Sequence, residues 1–315
     1  MEYAIETGGL TKRYGSLTAV NKLDLKVARN TIHGFLGPNG AGKTTTIKVL
    51  VGLLKADEGT VKVLGQDVRG DRPDVRLRMG YMPELPKFPK HLKGSELLDI
   101  YGKMYGMTEQ KRREQIPKLL ELVGLKGRER DLVGKYSKGM QQRVGIAQAL
   151  LNKPELVILD EPSLGLDPVG MVDVRELMKE IAKEGMTVFV SSHLLFEVEQ
   201  VCSHVTIIHR GVSLVSDTLQ NVSNKLSGPT TLNVEVAQFS DSIVEAVKKL
   251  PFVSIVSQEG NMLTIELKTR EDVRAQVSQE ITRSGGVIVS MSLKGPHLEE
   301  VFMQLVSKSP GGKAE

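Results

Sequence analysis

Across the first 227 residues, short apolar runs alternate with longer stretches whose apolar positions recur every three or four residues. That alternation predicts parallel strands joined by covering helices, an α/β layer. "TIHGFLG" at 31–37 reads as a buried strand, and "KTTTIKVLVGLL" at 43–54 as the helix after it. "LVIL" at 156–159 is another apolar strand. In "YSKGMQQRVGIAQALL", Ser137 is a natural N-cap, and Lys138 and Gly139 open a helix with Ile146 and Leu150 turned inward. "SELLDIYGKMYG" sets Leu97, Leu98, Tyr101 and Tyr105 at helical spacing, most of them ordinary core positions.

After "LSGP" at 226–229 the texture changes, which divides the chain into residues 1–227 and 228–315. "TTLNVEVA" reads as a strand and "DSIVEAVKKL" as a helix with Ile243, Val247 and Leu250 on one face. "FVSIVSQ" and "NMLTIELK" read as strands joined by "EGN", where Gly260 and Asn261 suit a tight turn. "EDVRAQVSQEITRSGG" places Val273, Val277 and Ile281 along a helix ended by glycine, and "VIVSMSL" supplies a last strand. The order β-α-β-β-α-β is the ferredoxin-like split motif, an α+β fold. A further helix is expected over "HLEEVFMQLVS", with Leu298, Val301, Phe302 and Leu305 on one face, before a disordered tail "KSPGGKAE". RNA-binding modules share this strand order but stack bases on strand aromatics. Here Phe252 is the lone aromatic, at a strand start, so dimerisation or docking on a partner fits better.

Composition narrows the field. A chain of 315 residues with 40% hydrophobic and 25% charged content is an ordinary globular protein of one large or two moderate domains. The net charge of +4 is mixed along the chain and favours no nucleic-acid partner. Cys202 is the only cysteine, which excludes a disulfide framework and a cysteine-based zinc site. The start "MEYAIETGGL" is no signal peptide, and no apolar run approaches a membrane span. A soluble, cytoplasmic protein is expected.

The chemistry concentrates in "GPNGAGKTTT" at 37–46, where Gly37, Gly42, Lys43 and Thr44 satisfy G-x-x-x-x-G-K-[ST]. Backbone N–H groups of Gly37, Pro38–Asn39–Gly40 and Ala41–Gly42 would close around a polyphosphate, apart from the proline, which has none. Lys43 would reach the β/γ oxygens, and Thr44, followed by Thr45, would face Mg²⁺ with its hydroxyl. "LVILDEP" ends a strand in two carboxylates. Asp160 there can hold Mg²⁺ through water, and Glu161 can aim a general base at the water attacking the γ-phosphate. The helix start at Ser137 and Gly139 offers a second anion site. One triphosphate needs one cradle, so this second site suits a nucleotide held by another copy of the chain.

With these motifs the sequence resembles the ATP-binding subunits of ABC transporters over residues 1 to about 225. "YSKGMQQR" resembles the signature L-S-G-G-Q, keeping Ser137 and Gly139 and departing at Tyr136, Lys138 and Met140. The resemblance implies a P-loop NTPase cassette with a helical subdomain, ATP and Mg²⁺ as cofactors, and two subunits sandwiching two ATPs. It implies that Tyr14 in "TKRYG" stacks on adenine and that Asp167 in "SLGLD" lies at the dimer seam. His193 in "FVSSH" would touch the γ-phosphate and steady the transition state. Where the family carries a glutamine that senses Mg²⁺ and couples to the membrane partner, "GYMPE" places Glu84. That change, "SKGM" and the C-terminal domain are similar to the branch of drug and antibiotic exporters.

Other readings fit less well. "NKLD" at 21–24 spells a guanine-reading motif but precedes the phosphate loop instead of following it. A small-molecule kinase would have no use for the signature helix or for Glu161 with His193. A non-catalytic nucleotide sensor would be expected to lack the base. The expected function is an ATPase subunit, paired as a homodimer or heterodimer, that drives a separate permease from the inner face of the membrane, with no nucleic-acid partner. A soluble ABC ATPase acting as a nucleotide-dependent switch is the alternative.

Overall fold

The computed structural model describes residues 2–70, 72–226, 230–269, 271–294 and 302. Its contacts divide the chain into two compact units, with the break between Val222 and Ser223. The first unit opens with β1 (Tyr3–Tyr14) and β2 (Leu17–Ala28), then β3 (Ile32–Leu36) and α1 (Lys43–Leu50). β4 (Glu58–Val63), β5 (Gln66–Asp67), α2 (Pro73–Leu77) and β6 (Met79–Met82) lead to the helices α3 (Gly94–Met104) and α4 (Glu109–Leu122). There follow α5 (Lys138–Leu150), β7 (Leu156–Asp160), α6 (Pro168–Lys183), β8 (Thr187–Ser192) and α7 (Leu195–Val201). β9 (His204–His209) and β10 (Val212–Thr218) complete the series, and α8 (Leu219–Leu226) runs across the break.

Two sheets build this unit. A six-stranded sheet runs β10-β9-β3-β8-β7-β6, parallel except where β10 pairs antiparallel with β9. Its central strands β3, β7 and β8 are buried at every position, as a sheet covered on both faces requires. The expected α/β layer is this sheet. A separate antiparallel sheet, β2-β1-β4-β5, lies outside that expectation. Its cause is local: β1 and β2 are joined only by Gly15, at φ +57°, and Ser16, and so short a link permits only a hairpin. The apolar faces of β1, β2 and β4 then join Ile47 and Leu50 of α1 in one core.

α1 stops at Leu50, four residues short of the expected helix end at Leu54, because Gly52 at φ +75° turns the chain out of the helix. α3 begins with Gly94; Leu97 and Leu98 are buried, while Tyr101 and Tyr105 are half-buried. Among the described residues no helix is long and apolar enough to cross a membrane.

The second unit holds β11 (Thr230–Val236), α9 (Asp241–Lys248), β12 (Val253–Glu259), β13 (Met262–Leu267), α10 (Arg274–Arg283) and β14 (Ile288–Lys294). Its antiparallel sheet has the order β12-β13-β11-β14, the strand order of the ferredoxin-like split motif. β11 alternates buried and half-buried residues, and Leu232, Val234 and Val236 pack with Ile243, Val247, Val277 and Ile281 of the two helices. In the β12–β13 turn Gly260 takes a positive φ and Asn261 does not, so the glycine alone absorbs the unusual dihedral. The helix expected over 297–307 lies outside the described residues, Phe302 apart.

β6 approaches α5 closely at Gly80. A Cβ there would lie 2.0 Å from the Ala149 carbonyl oxygen. Because that neighbour is helix backbone, it cannot rotate away. Gly80→Ala should therefore destabilise the first unit by about 1–3 kcal/mol, the usual cost of overpacking. Urea unfolding of the two proteins measures it, and equal midpoints would show that β6 and α5 can separate freely.

Candidate nucleotide site

The loop between β3 and α1 is shaped by close approaches that only glycine allows. A Cβ at Gly37 would lie 2.3 Å from the Ile208 carbonyl oxygen, and one at Gly42 would lie 2.5 Å from that of Ala19. Gly42 also takes φ +105° as it caps α1, so the helix N-terminus with its free N–H groups opens toward the loop. Lys43 is the first residue of α1 and is only 6% exposed. Its Nζ donates to the carbonyls of Gly37 at 2.7 Å and Pro38 at 3.3 Å, so the side chain folds back along the loop. The same Nζ is 3.2 Å from Glu161 Oε1. Oε1 receives no directed hydrogen bond, so this is a charge contact.

β7 delivers both carboxylates. Asp160 ends the strand with no exposed surface. Its Oδ1 accepts a hydrogen bond from Ser191 Oγ at 2.5 Å, the Thr44 hydroxyl donates another, and Oδ2 has no partner. Burial raises the Asp160 pKa above the ordinary carboxylate value. The Ser191 and Thr44 hydrogen bonds oppose that rise, and the nearby charges of Glu84 and Glu161 add to it. Glu161 stands at φ +50°, a left-handed conformation rare for a residue with a side chain. Its N–H donates to Ser191 Oγ at 3.0 Å, and its Oε2 lies 2.8 Å from His193 Nδ1.

These groups face a cleft of about 380 Å³, a size typical of small-molecule sites. Pro38, Asn39, Gly40, Ala41, Gly42, Lys43, Thr44 and Thr45 line it, together with Tyr14, Glu84 and Glu161. Tyr14 is 46% exposed, at the end of β1, with Lys12 Nζ 5.9 Å from its ring centre. Asp160 joins the group through Thr44, and His193 through Glu161.

Ser137, Gly139 and Asp167 lie elsewhere. They line a second concavity of about 340 Å³, together with Lys138, Met140, Arg143 and Leu166. Ser137 Oγ accepts from the Met140 N–H at 3.2 Å, and Asp167 Oδ1 from the Gly170 N–H at 2.7 Å. Each thus caps its own helix, α5 or α6, and the two N-termini share one mouth. None of the three lines the Lys43 cleft.

Two contacting residues escaped the sequence reading. Ser191 touches both Asp160 and Glu161, and its only signal was its place two residues before His193 in "FVSSH". Gln142, 4% exposed on α5, donates to the carbonyls of Glu84 and Glu161, and no motif logic singled it out.

Known proteins match this chain over most of its length. A family described as "ABC transporter" matches residues 20–164, and "ATP-binding protein DrrA1-3-like, C-terminal domain" matches 218–306. The bacitracin transport ATP-binding protein BcrA of Bacillus licheniformis is 46% identical over 97% of this chain and 98% of its own length. The linearmycin resistance ATP-binding protein LnrL of Bacillus subtilis (strain 168) is 32% identical over 97% of this chain and 99% of its own. A solved ATP-binding subunit of an ABC transporter, 31% identical, superposes with a TM-score of 0.65 over 70% of this chain and 92% of that one. The chain belongs to the ABC transporter family, as an ATP-hydrolysing, ATP-binding subunit of the branch with a DrrA1-3-like C-terminal domain.

Proposed function

We propose that this subunit dimerises on ATP and drives a separate membrane permease that exports an antibiotic- or drug-like compound. The relatives named for bacitracin transport and linearmycin resistance support the cargo class. The switch without transport is not favoured, since those relatives match 97% of the chain. The subunit would sit on the cytoplasmic face, held there by the permease.

One observation carries the sandwich. The cleft around Lys43 is open on one side, and the helix N-termini of α5 and α6 face a separate concavity. A second chain, placed so that its Ser137, Gly139 and Asp167 close the Lys43 cleft, would complete the site. α5 would then offer its N–H groups and positive dipole end to the γ-phosphate from across the seam.

Within one chain the roles follow from position. Lys43 and the N-terminus of α1 hold the phosphates, and Tyr14 stacks on the base. Glu161, oriented by His193, accepts a proton from the attacking water. His193 holds the Glu161 carboxylate through Nδ1 and is 35% exposed, so its other ring nitrogen is left for the γ-phosphate in this reading. Mg²⁺ fits the buried, partnerless Oδ2 of Asp160 beside the Thr44 hydroxyl. Mg²⁺ asks for few protein oxygens and keeps waters and phosphates as its other ligands. Thr44 and Asp160 would hold it, with Glu84 at the rim, and it would neutralise charge on the β- and γ-phosphates.

The segment after Glu84 is the proposed permease contact. Leu85, Ile100 and Met104 are 67%, 41% and 73% exposed, on and before α3. Such a surface suits an amphipathic helix of a permease. The second unit is proposed to tune dimerisation or docking.

The dimer is tested with Glu161→Gln, which should keep ATP binding and slow hydrolysis by about a hundredfold or more. The variant should sediment as an ATP-bound dimer, and adding Ser137→Arg should return it to monomer. A Glu161→Gln chain that binds ATP and stays monomeric at high concentration, alone and with any co-purifying cassette, would sink the sandwich.

Asp160 makes a prediction about stability. Its pKa is raised on folding, so the folded state resists its ionisation, and its contribution turns unfavourable as pH rises through the folded pKa. Asp160→Asn should then melt at a higher temperature than wild type at pH 8 in chelator, though it loses hydrolysis. The advantage should shrink as pH falls toward the ordinary carboxylate range. A lower melting temperature at pH 8 would show that the ionised carboxylate stabilises the fold.

A chain ending at Leu226 should bind ATP with near-native affinity, because the lining of the cleft comes entirely from the first unit. Titration with a fluorescent ATP analogue decides it. Loss of binding by a truncated chain that is still folded would assign nucleotide contacts to the second unit.

A further inference from the structure

Gln142 is a polar side chain in a place where an apolar one would cost less. It is 4% exposed, and its Oε1 is buried without a partner. An unpaired buried acceptor is unfavourable, so its retention calls for a reason. The other half of the amide supplies one. Nε2 donates to the Glu84 carbonyl at 3.3 Å and to the Glu161 carbonyl at 3.4 Å. The amide cannot be turned over, since Oε1 would then face two carbonyl oxygens.

We infer that Gln142 is a positioning residue that holds the backbone of Glu161, and with it the general base, in register with the segment carrying Glu84. The inference rests on the reading of Glu161 as the base. Glu161 must be held because its φ of +50° is strained. Ser191 Oγ grips its N–H at 3.0 Å, and on the other side its carbonyl accepts from the Leu164 N–H at 3.1 Å and from Gln142. Of these partners, Gln142 alone also holds Glu84. It sits five residues after Ser137, on the helix whose N-terminus would serve the other chain's ATP. One amide therefore ties that helix to the base of its own site and to the segment proposed to meet the permease. Removing it leaves the Leu164 and Ser191 bonds in place, so the fold should survive and the aim of the carboxylate should suffer.

The test uses the full chain and Gln142→Met, which keeps length and volume and removes both donors. ATP affinity, read with a fluorescent analogue, should stay within about twofold of wild type, while kcat falls about tenfold or more, as expected for a misaimed reacting group. In the Glu161→Gln background, single-turnover hydrolysis should change less than about twofold on adding Gln142→Met, because the base it positions is already gone. A kcat within twofold of wild type overturns the inference. So does an equal loss in both backgrounds, which would mark a packing role only. If Glu161→Gln itself hydrolyses at the wild-type rate, the base reading fails first and takes this inference with it. Gln142→Leu repeats the comparison should the methionine variant be unstable.

Discussion

A lysine and two carboxylates share the dry end of β7, and much of the first unit can be read as the means of keeping them there. Lys43, Asp160 and Glu161 are 6%, 0% and 7% exposed. Charges so deeply buried must be paired or neutralised, or the fold loses several kcal/mol. Lys43 stands against one oxygen of Glu161 and His193 against the other. Asp160 takes hydroxyls from Ser191 and Thr44. Strand order makes this possible. β8 lies between β3 and β7, so a residue near its carboxyl end reaches the end of β7 directly, and the loop leaving β3 closes over both. Open parallel sheets place their ligand clefts at this edge for the same reason: the carboxyl ends of neighbouring strands converge there.

What could be read from the sequence was what is local. The phosphate loop, the strand ending in Asp160 and Glu161, and the helix capped by Ser137 are each contiguous, and each chemistry follows from residues within ten positions. The α/β class and the split β-α-β-β-α-β order came from periodicity in the same way. The antiparallel sheet did not: "LDLKV" alternates as a strand should, but the register shifts where β1 pairs with β2 interrupt the pattern that would have joined it to a sheet. Ser191 was out of reach for a different reason. Its importance comes from lying beside β7, a fact of strand order that no short window contains. Gln142 needed more still, since its two acceptors come from residues 58 and 19 positions away.

The conformation of Glu161 shows how backbone and side chain are linked here. An extended residue at this position would continue the direction of β7. The left-handed turn changes that direction within a single residue, and Pro162 follows at once. Strain of this kind costs on the order of 1–3 kcal/mol and persists only where the surroundings over-determine it. Ser191 on β8, Gln142 on α5 and the Leu164 N–H of the following turn supply that determination.

Glu84 alters the charge balance in a way the resembling family's glutamine would not. Its carboxylate is close enough to Asp160 to raise that residue's pKa, and it lines the cleft with Glu161. Of the residues lining that cleft, Lys43 is the only cation. A bound triphosphate brings more negative charge into the same space, and attraction to one lysine and one helix dipole must outweigh repulsion from three carboxylates. In the proposed reading a divalent cation reverses that balance, and it is needed more here than beside a neutral glutamine. Gln142 holds the backbone carbonyl of this same Glu84, and its amide reaches Glu161 as well. The extra charge and the amide tie therefore act on the same short segment.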